Sequence, residues 1–237
     1  MAIPTDWELL DLHNHTSRSY DAVNTLEDYE RAYAAGRFDV LGLTDHNRIE
    51  GALEVAERAS FPLVVGLEID TADGELIGLF LREAIPAGLS ARETAERIRA
   101  QGGLVYVPHP FYPLVRHLLS ARAREHLASA SLIDVVEGLN GGPFTGHYNV
   151  RAQAWARAAE LPLAAGSDAH EPAGIGRCLA AVPPGPLDPV SLVARLRASV
   201  LVDRRRNSIA QLVTKARHEV VGQVPAWLRG ERKRRAG

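Results

Sequence analysis

The stretch DLHNHTSRSYD, Asp11 to Asp21, sets two histidines one residue apart, with one acid two residues before the first and another six after the second. On an extended chain, residues i, i+2 and i+4 share a face. The spacing therefore predicts Asp11, His13 and His15 on one face, with Leu12 and Asn14 on the other. Polar side chains turned inward need partners, because burying them alone costs several kcal/mol. Two neutral imidazoles side by side suit a divalent metal, and an acid nearby can orient one of them by accepting its other N–H.

Five more short clusters repeat the theme: TDHN, GLEID, VPHPF, VVEGLN and GSDAH. Together they offer His13, His15, Asp21, His46, Glu68, His109, Glu137, Asp168 and His170 as metal ligands. One tetrahedral zinc uses four. The surplus implies two or three metals sharing bridging carboxylates, an arrangement suited to cleaving phosphate esters. Imidazole and carboxylate donors without cysteine suit zinc, manganese or iron. Asp45 adjoins His46 on the opposite strand face and reads as an orienting acid or a ligand. Asp45, His109 and His170 are the candidates for moving protons. Arg18, Arg48, Arg116 and Arg177 lie near the clusters and could hold phosphate oxygens with a planar fork. Arg177, just past GSDAH, is the preferred one. His117, His126 and His218 read as packed or solvated histidines, and so does His147 in GGPFTGHYN.

Each cluster follows an apolar run of strand length. The runs WELLDLH, FDVLGLTDH, FPLVVGLEID, LVYVPHP, SLIDVVEGLN and LPLAAGSDAH alternate with helix-like segments. TLEDYERAYAAG carries Thr25 as N-cap and Gly36 as its stop. SARETAERIRAQGG opens with a capping box from Ser90 to Glu93. Gly74 separates FPLVVGLEID from ELIGLFL, which predicts a hairpin, and RCLAAV predicts one more strand. Alternating strands and helices indicate a mostly parallel sheet. About seven such units suit a closed or distorted barrel, whose strand C-termini open on one face where sites are built. All six clusters fall at such ends.

The chain has 237 residues, 46% of them apolar, and a formal charge of −2. It is long enough for a sizeable core and has no global field to attract nucleic acid or a membrane. No apolar stretch is long enough to span a bilayer. Cys178 is the single cysteine, so no disulfide forms within the chain, and a cytoplasmic location is expected. Residues 1–205 read as one catalytic domain. Residues 206–237 read as a helical extension ending in the basic tail ERKRRAG, which as a short terminus reads as solvated rather than as a nucleic-acid arm. Nothing in the sequence specifies an oligomeric state.

The motifs DLHNHTSRSYD, LGLTDHN, VGLEIDTADGELIGLFL, GGLVYVPHPF, VVEGLN and AAGSDAHEPAGIG, in this order, resemble the PHP family, the polymerase-and-histidinol-phosphatase metallophosphoesterases. The resemblance covers about residues 8–183. It implies an α/β fold, a distorted (β/α)7 TIM-like barrel, with a multinuclear metal centre at the C-terminal strand ends. It favours His13, His15, Glu68 and Asp168 around one metal with Glu68 bridging, and Asp21, His46, His109 and His170 among the remaining ligands. Glu137 stands where relatives vary between a ligand and a structural residue. Some relatives insert a small domain in mid-chain, and here helix runs directly to strand without room for one. The implied activity is hydrolysis of a small phosphorylated metabolite or nucleotide. A barrel amidohydrolase is the competing reading. It is weakened because the first lysine is Lys215, which removes a carbamylated-lysine bridge at a mid-barrel strand end. A third reading is a metal-binding module without catalysis.

Overall fold

The computed structural model describes residues 3–205; the expected helical extension and basic tail over residues 206–237 lie outside the described residues. The chain alternates strands and helices in the order β1 (Glu8–Asp11), α1 (Leu26–Ala34), β2 (Val40–Leu43), α2 (Glu50–Ala56), β3 (Leu63–Thr71), β4 (Gly74–Leu79), α3 (Ala91–Ala100), β5 (Leu104–Val107), α4 (Ala121–Ser129), β6 (Val135–Asn140), α5 (Gly146–Ala158), β7 (Leu163–Gly166), β8 (Cys178–Val182), α6 (Pro189–Leu196) and β9 (Val200–Asp203). The helices start where local chemistry starts them. Thr25 and Asp28 form a capping box at α1, Ser90 and Glu93 form another at α3, and Asp188 caps α6 ahead of Pro189.

The strands form one sheet ordered β7-β6-β5-β4-β3-β2-β1-β8-β9. Pairing is parallel at β1–β2, β2–β3, β5–β6 and β6–β7. It is antiparallel at β3–β4, β4–β5, β1–β8 and β8–β9. The sheet is thus less parallel than simple strand–helix alternation implies, because the β3–β4 hairpin replaces one crossover and β8 returns against β1. Gly74 makes that hairpin possible. Its φ is +121°, and a Cβ there would lie 2.3 Å from the backbone of Leu119.

Beyond β1 the chain turns to the opposite side of the sheet. Leu12 N–H donates to Ala165 O (3.0 Å), Asp168 N–H to His13 O (2.8 Å) and His15 N–H to Ala169 O (3.2 Å). These bonds tie the end of β7 to the segment just beyond β1 and curl the sheet into a nearly closed, distorted TIM-like barrel.

The strand period of two sorts the side chains. Leu10, Leu12, Val64, Ile77, Leu79, Tyr106, Val135 and Leu139 pack together inside the barrel. Leu67, Ile69, Leu76, Val105 and Val136 pack in a second cluster that includes α3 and α4 residues, and Leu41, Leu43 and Leu179 in a third with α1 and α2 residues. Glu68, Glu75 and Glu137 therefore share parity with interior residues of their own strands. Among the described residues no helix is long and apolar enough to cross a membrane.

Candidate metal centre

Nine of the ligand-type side chains come together at the strand ends, and Glu68 is their hub. This carboxylate, 1% exposed, has four imidazoles within reach. Its Oε2 lies 3.1 Å from His13 Nε2 and 3.4 Å from both His15 Nε2 and His46 Nδ1, and its Oε1 lies 3.1 Å from His109 Nε2. Asp168 closes the group on the other side, with Oδ1 3.2 Å from His15 Nε2 and 3.7 Å from His13 Nε2. His170 sets Nδ1 2.9 Å from the Asp168 carbonyl and Nε2 3.1 Å from Asp21 Oδ2, while His46 Nε2 stands 3.6 Å from the same oxygen. His109 and Asp168 both have positive φ, +28° and +51°. Strained backbone of this kind persists where surrounding structure imposes it, and it clusters at functional sites.

The arrangement fits bound cations. His13 and His15 aim their Nε2 atoms at each other across 3.2 Å. Glu75 Oε2, 3.7 Å from His109 Nε2, is buried without a hydrogen-bond partner. Buried polar atoms normally have partners. A divalent cation supplies one for carboxylate oxygens and imidazole lone pairs that converge. The sets His13/His15/Asp168, His13/Glu68/His109, His15/His46/His170 and His46/Asp70/Glu75 each bring ligand atoms within 4.8 Å of one another.

Glu137 is placed differently from the others. Its Oε1 accepts from His13 Nδ1 (3.0 Å) and Tyr106 Oη (3.0 Å), and its Oε2 accepts from His109 N–H (2.6 Å) and Asn140 Nδ2 (3.0 Å). With its lone pairs taken, it orients His13 from behind and steadies the His109 loop. Asp11 does not share the His13 face. β1 ends at Asp11, and the chain bends there, so the Asp11 carboxylate accepts instead from Ser167 N–H (2.8 Å), Ser167 Oγ (2.5 Å) and Gly176 N–H (2.9 Å). Asp45 likewise turns from the cluster and accepts from Thr16 N–H (2.5 Å) and Oγ1 (2.6 Å), which holds the segment leading to Asp21.

Charge explains the proton affinities. Burial pulls His13 down, but Glu68, Glu137 and Asp168 outweigh it and hold it well above the usual imidazole range. His46 behaves similarly and is pushed up to about 10 by Glu68 and Asp21 against burial. His109 is raised against burial by Glu68 and Glu75. His15 falls to about 4, through burial first and then the neighbouring His170 and His46. Glu75 rises to about 7 from burial and from the Glu68 charge. At neutral pH the metal-free cluster therefore holds protons on His13 and His46, and a metal must displace them. Metal affinity should accordingly rise from pH 6 to pH 9. Calorimetric titration at pH 7, in buffers of different ionisation enthalpy, should register more than one proton released per chain; no proton release would contradict these charge states.

The four arginines separate. Arg18 is committed to Glu54 by a two-pronged contact, 2.7 Å and 3.1 Å, on an exposed surface, so its fork is taken. Arg48 is exposed and Arg177 half-buried, and neither has a side-chain partner among the described residues. Arg116 reaches the cluster's edge. Its guanidinium lies 5.5 Å from the Tyr20 ring centroid, and Tyr20 stacks on His46 at 5.2 Å. His117 is largely exposed and sets Nδ1 3.0 Å from Asp70 Oδ1 at the rim. Sequence reasoning passed over Glu75 and Asp70. Glu75 stands among the interior positions of β4, in step with Ile77 and Leu79, 3.7 Å from His109. A charged residue on the interior face of a hairpin strand was the available signal.

A family model described as PHP domain matches residues 11–155, more than half of the chain, and one described as PHP-associated matches residues 146–201. An uncharacterized protein of Methanocaldococcus jannaschii, MJ1587, is 39% identical over 121 residues, spanning 46% of this chain and 71% of that one. A solved two-domain protein from Bacteroides vulgatus, containing a predicted PHP-like metal-dependent phosphoesterase, superposes with a TM-score of 0.67 at 18% identity, over 92% of this chain and 73% of that one. Endonuclease Q, solved with a 27-mer duplex substrate carrying an abasic lesion, superposes with a TM-score of 0.55 at 13% identity, over 81% of this chain and 57% of that one.

Proposed function

We propose, since this chain belongs to the PHP domain family, that its barrel mouth is a metal-dependent phosphoesterase acting on a small phosphorylated substrate, with two or three divalent ions of zinc, manganese or iron. The observation that supports this most is the Glu68 carboxylate, whose two oxygens face four imidazoles at 3.1–3.4 Å. A carboxylate so placed is built to bridge cations.

His13, His15 and Asp168 would hold one ion with Glu68, and His46, His109, His170, Asp21 and Glu75 would share the rest. Cations held there supply Lewis acidity, neutralise phosphoryl charge and activate water at neutral pH. The protein's own groups do the positioning. Glu137 fixes the His13 tautomer by accepting its Nδ1–H. The Asp168 carbonyl accepts Nδ1–H of His170 and leaves the Nε2 lone pair facing the site. His170 is the most exposed imidazole of the cluster at 21%, and its Nε2, beside Asp21, is assigned as a ligand at the open side of the site. Arg116, which forms no ion pair among the described residues, offers its fork to a phosphate oxygen at the rim. Asp45 acts through Thr16 on the Asp21 segment rather than on the substrate.

The test is a panel of phosphomonoesters and phosphodiesters, assayed with and without chelator. Phosphate release that disappears on chelation and returns with manganese, zinc or iron is expected. No hydrolysis of any member with metal supplied would overturn the reading.

A further inference from the structure

A second cluster of cations stands just outside the metal centre. Phe111 lies two residues past His109, so the two Cα atoms are at most roughly 7 Å apart. Two guanidinium groups pack on its ring, with the Cζ atoms of Arg124 and Arg151 4.6 Å and 4.7 Å from the centroid. Trp155 meets the same ring edge-on at 6.0 Å and 85°, which fixes the platform. Arg124 is further held by donating to Leu119 O.

Neither arginine forms an ion pair among the described residues. α5, which carries Arg151, has no acidic residue, and α4 offers only Glu125. Like charges gathered on one ring repel unless an anion sits between them. The strain registers on Arg124, which burial and then Arg151 pull below its usual proton affinity. A guanidinium stacked on an aromatic face still presents its N–H edge outward, in the geometry that matches phosphate. Arg124 is the fourth residue of α4 and Arg151 the sixth of α5, and both reach the Phe111 ring in the segment that carries His109, at the barrel end of the metal ligands.

We propose that Arg124 and Arg151, stacked on Phe111, form a second anion subsite that binds a phosphate group carried elsewhere on the substrate whose ester is cleaved at the metal centre. The substrate class narrows accordingly from phosphoesters in general to molecules bearing at least two phosphates. The inference rests on the phosphoesterase reading for its cleavage step, while the subsite itself does not depend on it.

Alkanediol bisphosphates of graded length, each compared with the alkyl monophosphate of the same length, are the probes. The metal-loaded wild type should favour bisphosphates of one length range by about tenfold in kcat/KM, chiefly through KM. Arg124→Gln and Arg151→Gln should each reduce that preference, and the double variant should abolish it. Phe111→Leu, which removes the platform and leaves both charges, should weaken it as well. Equal rates for mono- and bisphosphates at every length, or a preference that survives the double variant, would overturn the proposal. If the wild type cleaves neither probe, the phosphoesterase reading fails, and calorimetric binding of the bisphosphates to the folded protein still decides the subsite. Binding weakened about tenfold or more in the double variant supports it, and equal binding rejects it.

Discussion

Replacing Glu68 with glutamine should leave a folded protein that holds at most one metal and hydrolyses phosphoesters at least 10³-fold more slowly, on the order expected for loss of a principal electrostatic contributor. The carboxylate is buried and faces His13, His15, His46 and His109 with both oxygens. Glutamine keeps the shape, but it exchanges one oxygen for an NH2 group whose hydrogens point at the place cations would occupy. The charge that lets two ions stand close together is gone as well. Secondary structure should persist, because Glu68 N–H remains bonded to Asp45 O (3.2 Å) and Asn47 N–H to Glu68 O (2.8 Å) whatever the side chain is. Elemental analysis, circular dichroism and steady-state kinetics on one preparation separate these effects. Full activity in Glu68→Gln would show that this carboxylate does not bridge.

Gly166→Ala should damage fold and site together. A Cβ at Gly166 would lie 2.2 Å from His13 Cβ and 2.4 Å from Glu137 Oε1. Neither neighbour can retreat. The His13 carbonyl is tied to Asp168 N–H at 2.8 Å, and Glu137 accepts four hydrogen bonds. Overpacking at so rigid a contact costs about 2–3 kcal/mol. For a domain of this size that lowers the melting midpoint by roughly 5–10 °C, and the displaced His13 should weaken metal binding. Gly146→Ala is the control. A Cβ there meets nothing within 4 Å, so stability should change by no more than about 0.5 kcal/mol. Equal melting midpoints and metal contents for the two variants would contradict the packing described around Gly166.

Much of the architecture was legible in the sequence because it is local. The capping boxes at Thr25 and Ser90 mark two helix starts, Gly74 marks the hairpin, and each ligand-type cluster ends an apolar run of strand length. Once those runs form a barrel, their ends meet whatever the helices between them contain. What was not legible depends on partners far along the chain. Asp11 follows the period-two rule only while β1 lasts, and its partners Ser167 and Gly176 lie 156 and 165 residues further along the chain. Arg18 is taken by Glu54, on a helix no spacing rule connects to it. Glu75 sits inside an apolar run, ELIGLFL, where period two marks it as interior but composition alone does not draw attention to it. Glu137 differs from Glu68 only in what surrounds it, with four donors in one case and four imidazoles in the other.

A metal titration followed by phosphate release puts the proposed multinuclear phosphoesterase centre to the test. Protein stripped with chelator would be reconstituted stepwise with manganese, and the rate measured against equivalents added. The structure predicts no activity without metal and a rise that completes only at two or three equivalents per chain, because Glu68, Asp168 and five imidazoles form overlapping sets of ligands rather than one. Full activity in the stripped protein, or saturation at a single equivalent, would contradict it.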